Sequence, residues 1–232
     1  MVYLICLCTH RIINSSLMKI ILEKGQGLFF TSDTHYNHAN ICRATTNWGG
    51  QDNLTRDYKS LEYMNSTLVN RINEMVGEDD ILIHLGDWSF GGFDKIEEFR
   101  SRIICKEIHL ILGNHDGHIE RNRGDIQKLF TSVQNYLHLE YTNKTTHRFI
   151  ICHYPICSWH DMKKGVFHLF GHLHTPKEGK YMTGRSMDVG MDGNDLMPYD
   201  IDDIVRKLSG RPLSYNTLKS DHHLDDIQNV VG

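Results

Sequence analysis

A chain of 232 residues, 40% hydrophobic and 23% charged, is long enough to bury one sizeable core. Its net charge of −4 excludes a broadly basic surface, which disfavours long duplex nucleic acid and anionic membranes as partners. The six cysteines form no CxxC pair and no regular framework, so no disulfide scaffold is expected and a reducing cytoplasm fits best.

Val2 to Cys8 is apolar but too short to cross a bilayer, and His10 and Arg11 follow where a signal peptide would stay apolar. Met18-Lys19-Ile20-Ile21-Leu22 is the more natural beginning of the fold, which makes residues 1–17 an expected extension outside the core. Leu28 to Ser32 reads as a strand ending at Asp33. A polar, glycine-containing loop (Asn47 to Asn53) leads to an amphipathic helix from Thr55 to Val76. Its apolar residues, Leu61, Met64, Leu68, Ile72 and Val76, recur every three or four positions, and Gly77 stops it. Asp80 to Leu85 is a second strand, apolar apart from His84, which is expected to be a satisfied core histidine; it delivers Gly86-Asp87. A helix over Asp94 to Ile103 carries Ile96, Phe99 and Ile103. The strand Ile108 to Leu112 then delivers Gly113-Asn114-His115-Asp116.

This alternation is that of βαβ units, whose ligands collect at the carboxyl ends of strands. Two more apolar runs follow, Arg148 to Cys152 and Val166 to Phe170, leading to His153 and to Gly171-His172-Leu173-His174. Ser186 to Met191 is a final expected strand. Asp200 caps a helix with an acidic first turn, closed by Arg206 and Lys207. Its stripe Ile201, Ile204, Val205 and Leu208 is expected to face the core. Residues 18–210 therefore read as one domain and 211–232 as a polar tail, with no repeat and no membrane span.

Five blocks carry the chemistry: Asp33-Thr34-His35, Gly86-Asp87, Gly113-Asn114-His115-Asp116, Cys152-His153 and Gly171-His172-Leu173-His174. Seven donors exceed what one ion takes. Asp33 and His35, two apart on an extended backbone, leave the same face, as do His172 and His174. Asp87, without an adjacent histidine, suits a bridge between two ions, and Gly86, Gly113 and Gly171 allow close backbone approach. The residues thus divide into metal one, held by Asp33, His35, Asp87 and His174, and metal two, held by Asp87, Asn114, His153 and His172. Asn114 adds a neutral oxygen, limiting negative charge where a phosphate must enter. Mixed nitrogen and oxygen donors without thiolate suit Mn²⁺ first, or Fe or Zn²⁺, rather than Ca²⁺. Two such ions roughly 3.5–4 Å apart would turn a bridging water into hydroxide and clamp phosphoryl oxygens, the usual chemistry of two-metal sites.

His115 is left as the non-ligand, placed to donate to the phosphate or the leaving oxygen, with Asp116 fixing its tautomer. Asn114, His115 and His38 are the candidate substrate contacts, His38 either touching substrate or standing solvated. Cys152 reads as a small apolar strand residue and not a nucleophile. Trp48, Trp88 and Trp159 read as packing residues or pocket walls.

The five blocks in this order, from Asp33 to His174, resemble the calcineurin-like metallophosphoesterase superfamily. The resemblance implies an α/β fold, a four-layer α/β/β/α sandwich of two mixed sheets flanked by helices, with a dinuclear site at the strand ends. It also implies the ligand division above and His115 beside the scissile phosphate. Protein serine/threonine phosphatases of the superfamily carry GDxVDRG and GNHE, whereas here Trp-Ser-Phe-Gly-Gly follows Asp87 and the phosphate-gripping arginine is missing. The compact chain leaves no room for the capping additions of the repair nuclease, and looks most like the small bacterial and phage phosphoesterases. The function expected is hydrolysis of a small phosphodiester or phosphomonoester, a nucleotide among the candidates, by a metal-bridging hydroxide. A nuclease on single-stranded or short nucleic acid, and a catalytically silent scaffold, are the alternatives.

Removing residues 1–17 is expected to leave both the melting temperature and the catalytic activity unchanged; a large loss of either in the truncated protein refutes that reading.

Overall fold

In chain order the elements are β1 (Met18–Ile20), β2 (Leu28–Thr31), α1 (Leu61–Met75), β3 (Ile81–His84), α2 (Phe93–Arg102), β4 (Glu107–Ile111) and α3 (Gly117–Arg121). They continue with β5 (Ser132–Gln134), β6 (Leu137–Thr142), β7 (Thr146–Ile151), β8 (Phe167–Phe170), β9 (Ser186–Asp188), β10 (Tyr199–Asp200) and α4 (Ile201–Ser209). The structure, a computed structural model, describes residues 17–42, 56–174 and 184–213. The expectations for residues 1–16, the loop Asn47 to Asn53 with Trp48, and the tail beyond 213 lie outside the described residues.

The strands form two five-stranded sheets, in the orders β10-β2-β3-β4-β5 and β1-β6-β7-β8-β9. Both are mixed: β10 runs antiparallel to β2, and β6 and β7 form an antiparallel hairpin, while the remaining pairs are parallel. The central strands of the first sheet, β2, β3 and β4, are buried on both faces, which is why they read as largely apolar runs. Phe29, Leu82, Ile108 and Leu110 meet α1 and α2 through Met64, Leu68, Ile72, Ile96 and Phe99. Leu28, Phe30, Ile81, Ile83 and Ile111 meet Leu139, Phe149, Ile151, Phe167 and Leu169 of the second sheet. In β6 only alternate residues, Leu137, Leu139 and Tyr141, are buried, because the outer face of that strand is not fully covered.

The two mixed sheets with flanking helices are those expected, with one difference in the outer layer. Over the far face of the second sheet the described chain lays a loop with a single 3-10 turn, Met162–Lys164, whose Met162 joins Trp159 and Val166 against Ile150. Left-handed residues at both ends of that turn, Asp161 (φ 55°) and Gly165 (φ 90°), prevent a longer helix. Helix α4 instead inserts Ile201, Ile204 and Leu208 into the cluster between the sheets. Asp200 caps it by accepting from the amides of Asp202 and Asp203, as its sequence predicts. α1 begins at Leu61, later than its periodicity suggests, because Ser60 supplies the cap by accepting from the Tyr63 amide.

Beyond β2 and β9 the two sheets touch. Ser32 and Gly190 form a parallel bridge, and the Met191 amide donates to the Ser32 carbonyl at 3.2 Å. This seam brings the carboxyl ends of β2, β3, β4, β7, β8 and β9 to one rim.

His84 is the satisfied core histidine its setting predicts: its Nε2 pairs with Thr34 Oγ1 and its Nδ1 accepts from the Gly86 amide. His168 on β8 is held similarly, donating from Nδ1 to the Ile150 carbonyl at 3.0 Å and accepting at Nε2 from Ile156 N–H at 3.2 Å. Burial pushes its pKa down to about 4. A folded pKa below the unfolded value means the unfolded chain takes up the proton first, so stability falls as pH drops from about 6.5 towards 4. The His168 contribution is on the order of 3 kcal/mol at the acid end of that window. Urea midpoints measured between pH 7.5 and 5 are expected to fall, and His168→Gln to flatten the slope; an unchanged slope in the variant contradicts this account.

Candidate functional site

Five of the seven expected donors sit on left-handed backbone: Asp33 (φ 58°), His35 (44°), Asp87 (57°), His172 (73°) and His174 (49°). The extended-strand spacing expected for Asp33/His35 and His172/His174 is therefore not what aims them. These residues lie in the turns just past β2, β3 and β8, and each non-glycine residue in that conformation costs of order 1–3 kcal/mol. The loops after β2 and β3 run side by side, with Asp33 N–H donating to Gly86 O, His35 N–H to Asp87 O and Tyr36 N–H to Trp88 O. Asp116 ties in the third strand: its carboxylate accepts from the amides of Asp87, Trp88 and Gly113 at 2.8–2.9 Å. This corrects the role expected for Asp116. Its oxygens are committed to backbone amides and not to the His115 ring, so it shapes the turns and leaves the tautomer of His115 alone.

Both acidic donors are used in the same way. One oxygen is held by a backbone amide, Asp33 Oδ2 by His172 N–H and Asp87 Oδ1 by His115 N–H, each at 2.9 Å. The other oxygen points into the cluster. Asp33 Oδ1 has no hydrogen-bond partner although fully buried, and lies 3.9 Å from His35 Nε2 and 3.6 Å from His174 Nε2. Asp87 Oδ2 lies 3.4 Å from His35 Nε2 and 3.6 Å from His153 Nε2. Asp33, His35, Asp87 and His174 thus present four buried ligand atoms within 4.8 Å of one another. A second group adjoins it, with Asn114 Oδ1 at 3.0 Å from His153 Nε2 and 2.9 Å from His172 Nδ1. Asp87 Oδ2 stands between the groups.

The donor set fits divalent ions better than it fits itself. His153 donates Nδ1–H to the Leu85 carbonyl at 2.7 Å, so its Nε2 turns a lone pair onto the Asn114 oxygen, another acceptor. His174 donates Nδ1–H to Asp192 Oδ2 at 2.7 Å, and its Nε2 lone pair faces His35 Nε2 at 2.9 Å. Two nitrogens each about 2.1 Å from one ion and at right angles lie about 3.0 Å apart, so the His35–His174 spacing is that of neighbouring ligands. The electrostatics agree. Burial pushes the Asp87 carboxyl up to about 6 and holds His35 well below the ordinary histidine value. A neutral His35 keeps a lone pair for a cation, and a bound cation would stabilise the buried carboxylates.

Tight approach makes this possible at two glycines. A Cβ on Gly171 would fall 2.0 Å from Ser32 Oγ and 2.4 Å from Asp33 Oδ2, and one on Gly113 2.3 Å from Asp87 Oδ1.

Around the cluster, Asn114 and His115 are exposed, and the His115 ring is 5.3 Å from that of His35. His38 is half-buried, stacked on Phe90 at 3.7 Å and 6.4 Å from His115, so it flanks the cluster as its sequence position suggests. Burial takes its pKa down to about 4. Cys152, Trp88 and Trp159 are buried, in keeping with packing roles.

Two residues escaped the sequence reading. Arg56 and Asp192 are buried and paired at 2.8 Å, and Asp192 holds His174. Asp192 had only a weak signal: in Val189-Gly190-Met191-Asp192 an acid follows an apolar residue and a glycine, as in Leu85-Gly86-Asp87, but one position later. Arg56, ahead of the Ser60 cap, had none.

Residues 28–206 match the family described as calcineurin-like phosphoesterase. The chain is 27% identical over 185 residues to an uncharacterised protein of Methanocaldococcus jannaschii, covering 77% of this chain and 89% of that one. It is also 27% identical over 197 residues to the Gene 66 protein of Mycobacterium phage D29, covering 75% of this chain and 92% of the relative. A crystal structure of a protein of unknown function from Aquifex aeolicus shares the fold, with a TM-score of 0.58 at 21% identity over 78% of this chain and 99% of that one. Family match, fold and donor cluster coincide over the same residues, and the chain belongs to the calcineurin-like phosphoesterase family.

Proposed function

We propose that residues 18–210 form a dinuclear, metal-dependent phosphoesterase acting on a small phosphodiester or phosphomonoester. The observation that carries the reading is the pair of adjoining donor groups sharing Asp87 Oδ2. Asp33, His35, Asp87 and His174 would hold one ion and Asp87, Asn114, His153 and His172 the other, with Mn²⁺ favoured by the nitrogen and oxygen donors. When bound, divalent ions acidify water and withdraw charge from phosphoryl oxygens.

The chain's own residues do the rest. The turns past the strands hold the donors before substrate arrives, which lowers the cost of organising the site during reaction. Asn114, neutral and exposed, offers an amide to a phosphate oxygen without adding negative charge. Hydrolysis forms a bond from water oxygen to phosphorus and breaks the bond to the leaving oxygen, which must take up a proton. His115 is the exposed imidazole at hand to deliver it. Tyr154, 45% exposed, stands edge-on to His172 with ring centres 4.9 Å apart. An open aromatic face beside the cluster favours esters with a planar group, such as a nucleotide. The same face supports short single-stranded nucleic acid as the second reading, which the net charge of −4 weakens. The complete donor set weighs against a silent scaffold. No helix among the described residues is long and apolar enough to cross a membrane, and a cytoplasmic setting is the one proposed.

Purified protein supplied with Mn²⁺ is expected to cleave an activated aryl phosphodiester or monoester. Asp87→Asn should abolish turnover, and His115→Ala should reduce it by about 10²–10⁴-fold, the usual span for a general acid. Full activity in either variant rejects these roles.

Metal analysis separates the enzyme from a scaffold by a different route. Two equivalents of transition metal per chain are expected after equilibration with Mn²⁺, and chelation should remove both activity and metal; a chain that takes up none is a scaffold.

A further inference from the structure

We propose that Arg56 and Asp192 are positioning residues for the metal centre: Asp192 fixes the tautomer of His174, and Arg56 binds Asp192 and the turn after β2 into one unit. The inference rests on the metal-centre reading above and extends it to residues outside the donor set.

A neutral imidazole has one nitrogen to give and one to receive, and only the receiving nitrogen can hold a metal. His174 Nδ1 meets a carboxylate oxygen of Asp192 at 2.7 Å, and a carboxylate only accepts, so the proton sits on Nδ1. The lone pair is thereby left on Nε2, the atom 3.6 Å from Asp33 Oδ1 and 2.9 Å from His35 Nε2. His35 has no such partner; its Nδ1 is buried without a hydrogen bond. In the first donor group, then, His174 is the imidazole whose orientation and tautomer are dictated from behind.

Asp192 could not do this alone, because a buried carboxylate without a counter-charge is costly. Arg56 supplies the charge with a bidentate grip, Nε to Oδ1 at 2.8 Å and Nη2 to Oδ2 at 3.3 Å. The same guanidinium donates to the carbonyl oxygens of Thr34 and Asp33, at 2.8 and 2.6 Å. Those carbonyls belong to the left-handed turn that aims Asp33. One planar cation therefore fixes a ligand turn of the first sheet and, through Asp192 in the turn after β9, a ligand of the second. The pair is neutral as a whole and leaves the charge of the donor cluster unaltered. A purely structural ion pair would need neither the contact to His174 nor the two carbonyl contacts at Asp33 and Thr34.

The test uses the full chain stripped of metal. Two-bond ¹H–¹⁵N spectra of the wild type are expected to show His174 as the Nδ1–H tautomer; an Nε2–H tautomer overturns the proposal without recourse to any variant. Calorimetric titration with Mn²⁺ alone is expected to give two equivalents in the wild type. Asp192→Asn should weaken one of them by about 10- to 100-fold, the usual effect of losing a partner behind a ligating histidine. Arg56→Lys, which keeps the charge and loses the fork, should weaken the same equivalent less. Wild-type Mn²⁺ affinity in Asp192→Asn overturns the positioning role while leaving the metal centre intact. A wild type that takes up no Mn²⁺ overturns both.

Discussion

His153 Nε2 and Asn114 Oδ1 stand 3.0 Å apart, and each presents a lone pair to the other. His174 Nε2, its proton held on the far nitrogen, turns a lone pair on His35, and Asp33 Oδ1 is buried with no hydrogen bond at all. Buried acceptors without donors are expensive, and native interiors avoid them. A rim that gathers several of them is built around positive charge. The crowding is a property of the scaffold, since His153 is fixed from behind by the Leu85 carbonyl, His174 by Asp192, and the two aspartates by the backbone amides of His172 and His115.

Those outer groups explain how the arrangement persists. Five left-handed residues at of order 1–3 kcal/mol each approach the whole net stability of a typical domain. They persist because the surroundings over-determine them. Asp116 holds three amides of the turns after β3 and β4, and Arg56 holds two carbonyls of the turn after β2. The seam at Ser32 and Gly190 keeps the two sheets from separating under the site. Beneath all of this, Leu28, Phe30, Ile83 and Ile111 are fully or almost fully buried against Phe149, Ile151 and Leu169, so the strands that carry the turns have no freedom to shift.

The strands that matter most could be read from the sequence because burial on both faces leaves an unmistakable apolar run, as in Ile81 to Ile83. The donor blocks were legible for a related reason: polar residues abruptly ending such a run have few structural uses. Less was legible where short-range pattern gives way to long-range contact. Leu137-His138-Leu139-Glu140-Tyr141 alternates as a half-covered strand should, yet its partner β1 lies more than a hundred residues away. Asp116 was assigned to His115 by adjacency, whereas its partners are amides brought in by β3. Arg56 carries no local signal because its partners, Asp33, Thr34 and Asp192, are assembled only by the finished fold. The reason offered for Asp33 and His35 sharing a target was also wrong in kind: a left-handed turn, not strand alternation, brings them together.

The two donor groups differ in a way that bears on specificity. Asp33, His35, Asp87 and His174 are buried, while Asn114 is exposed and His172 half-buried. A phosphate reaching the proposed centre must therefore come from the Asn114 and His172 side, past His115. On that approach stands the open ring of Tyr154, and across the cluster the stacked pair His38 and Phe90 closes the other wall. Among the described residues, neither wall carries a lysine or arginine comparable to the phosphate-gripping arginine of the protein phosphatases. For the proposed ester, these residues would leave recognition of charge to the metal centre and offer flat aromatic and imidazole faces for recognition of shape. On the proposed reading, such a site would discriminate by what the phosphate is attached to, through Tyr154 and Phe90, while the donor turns could stay the same whatever the ester.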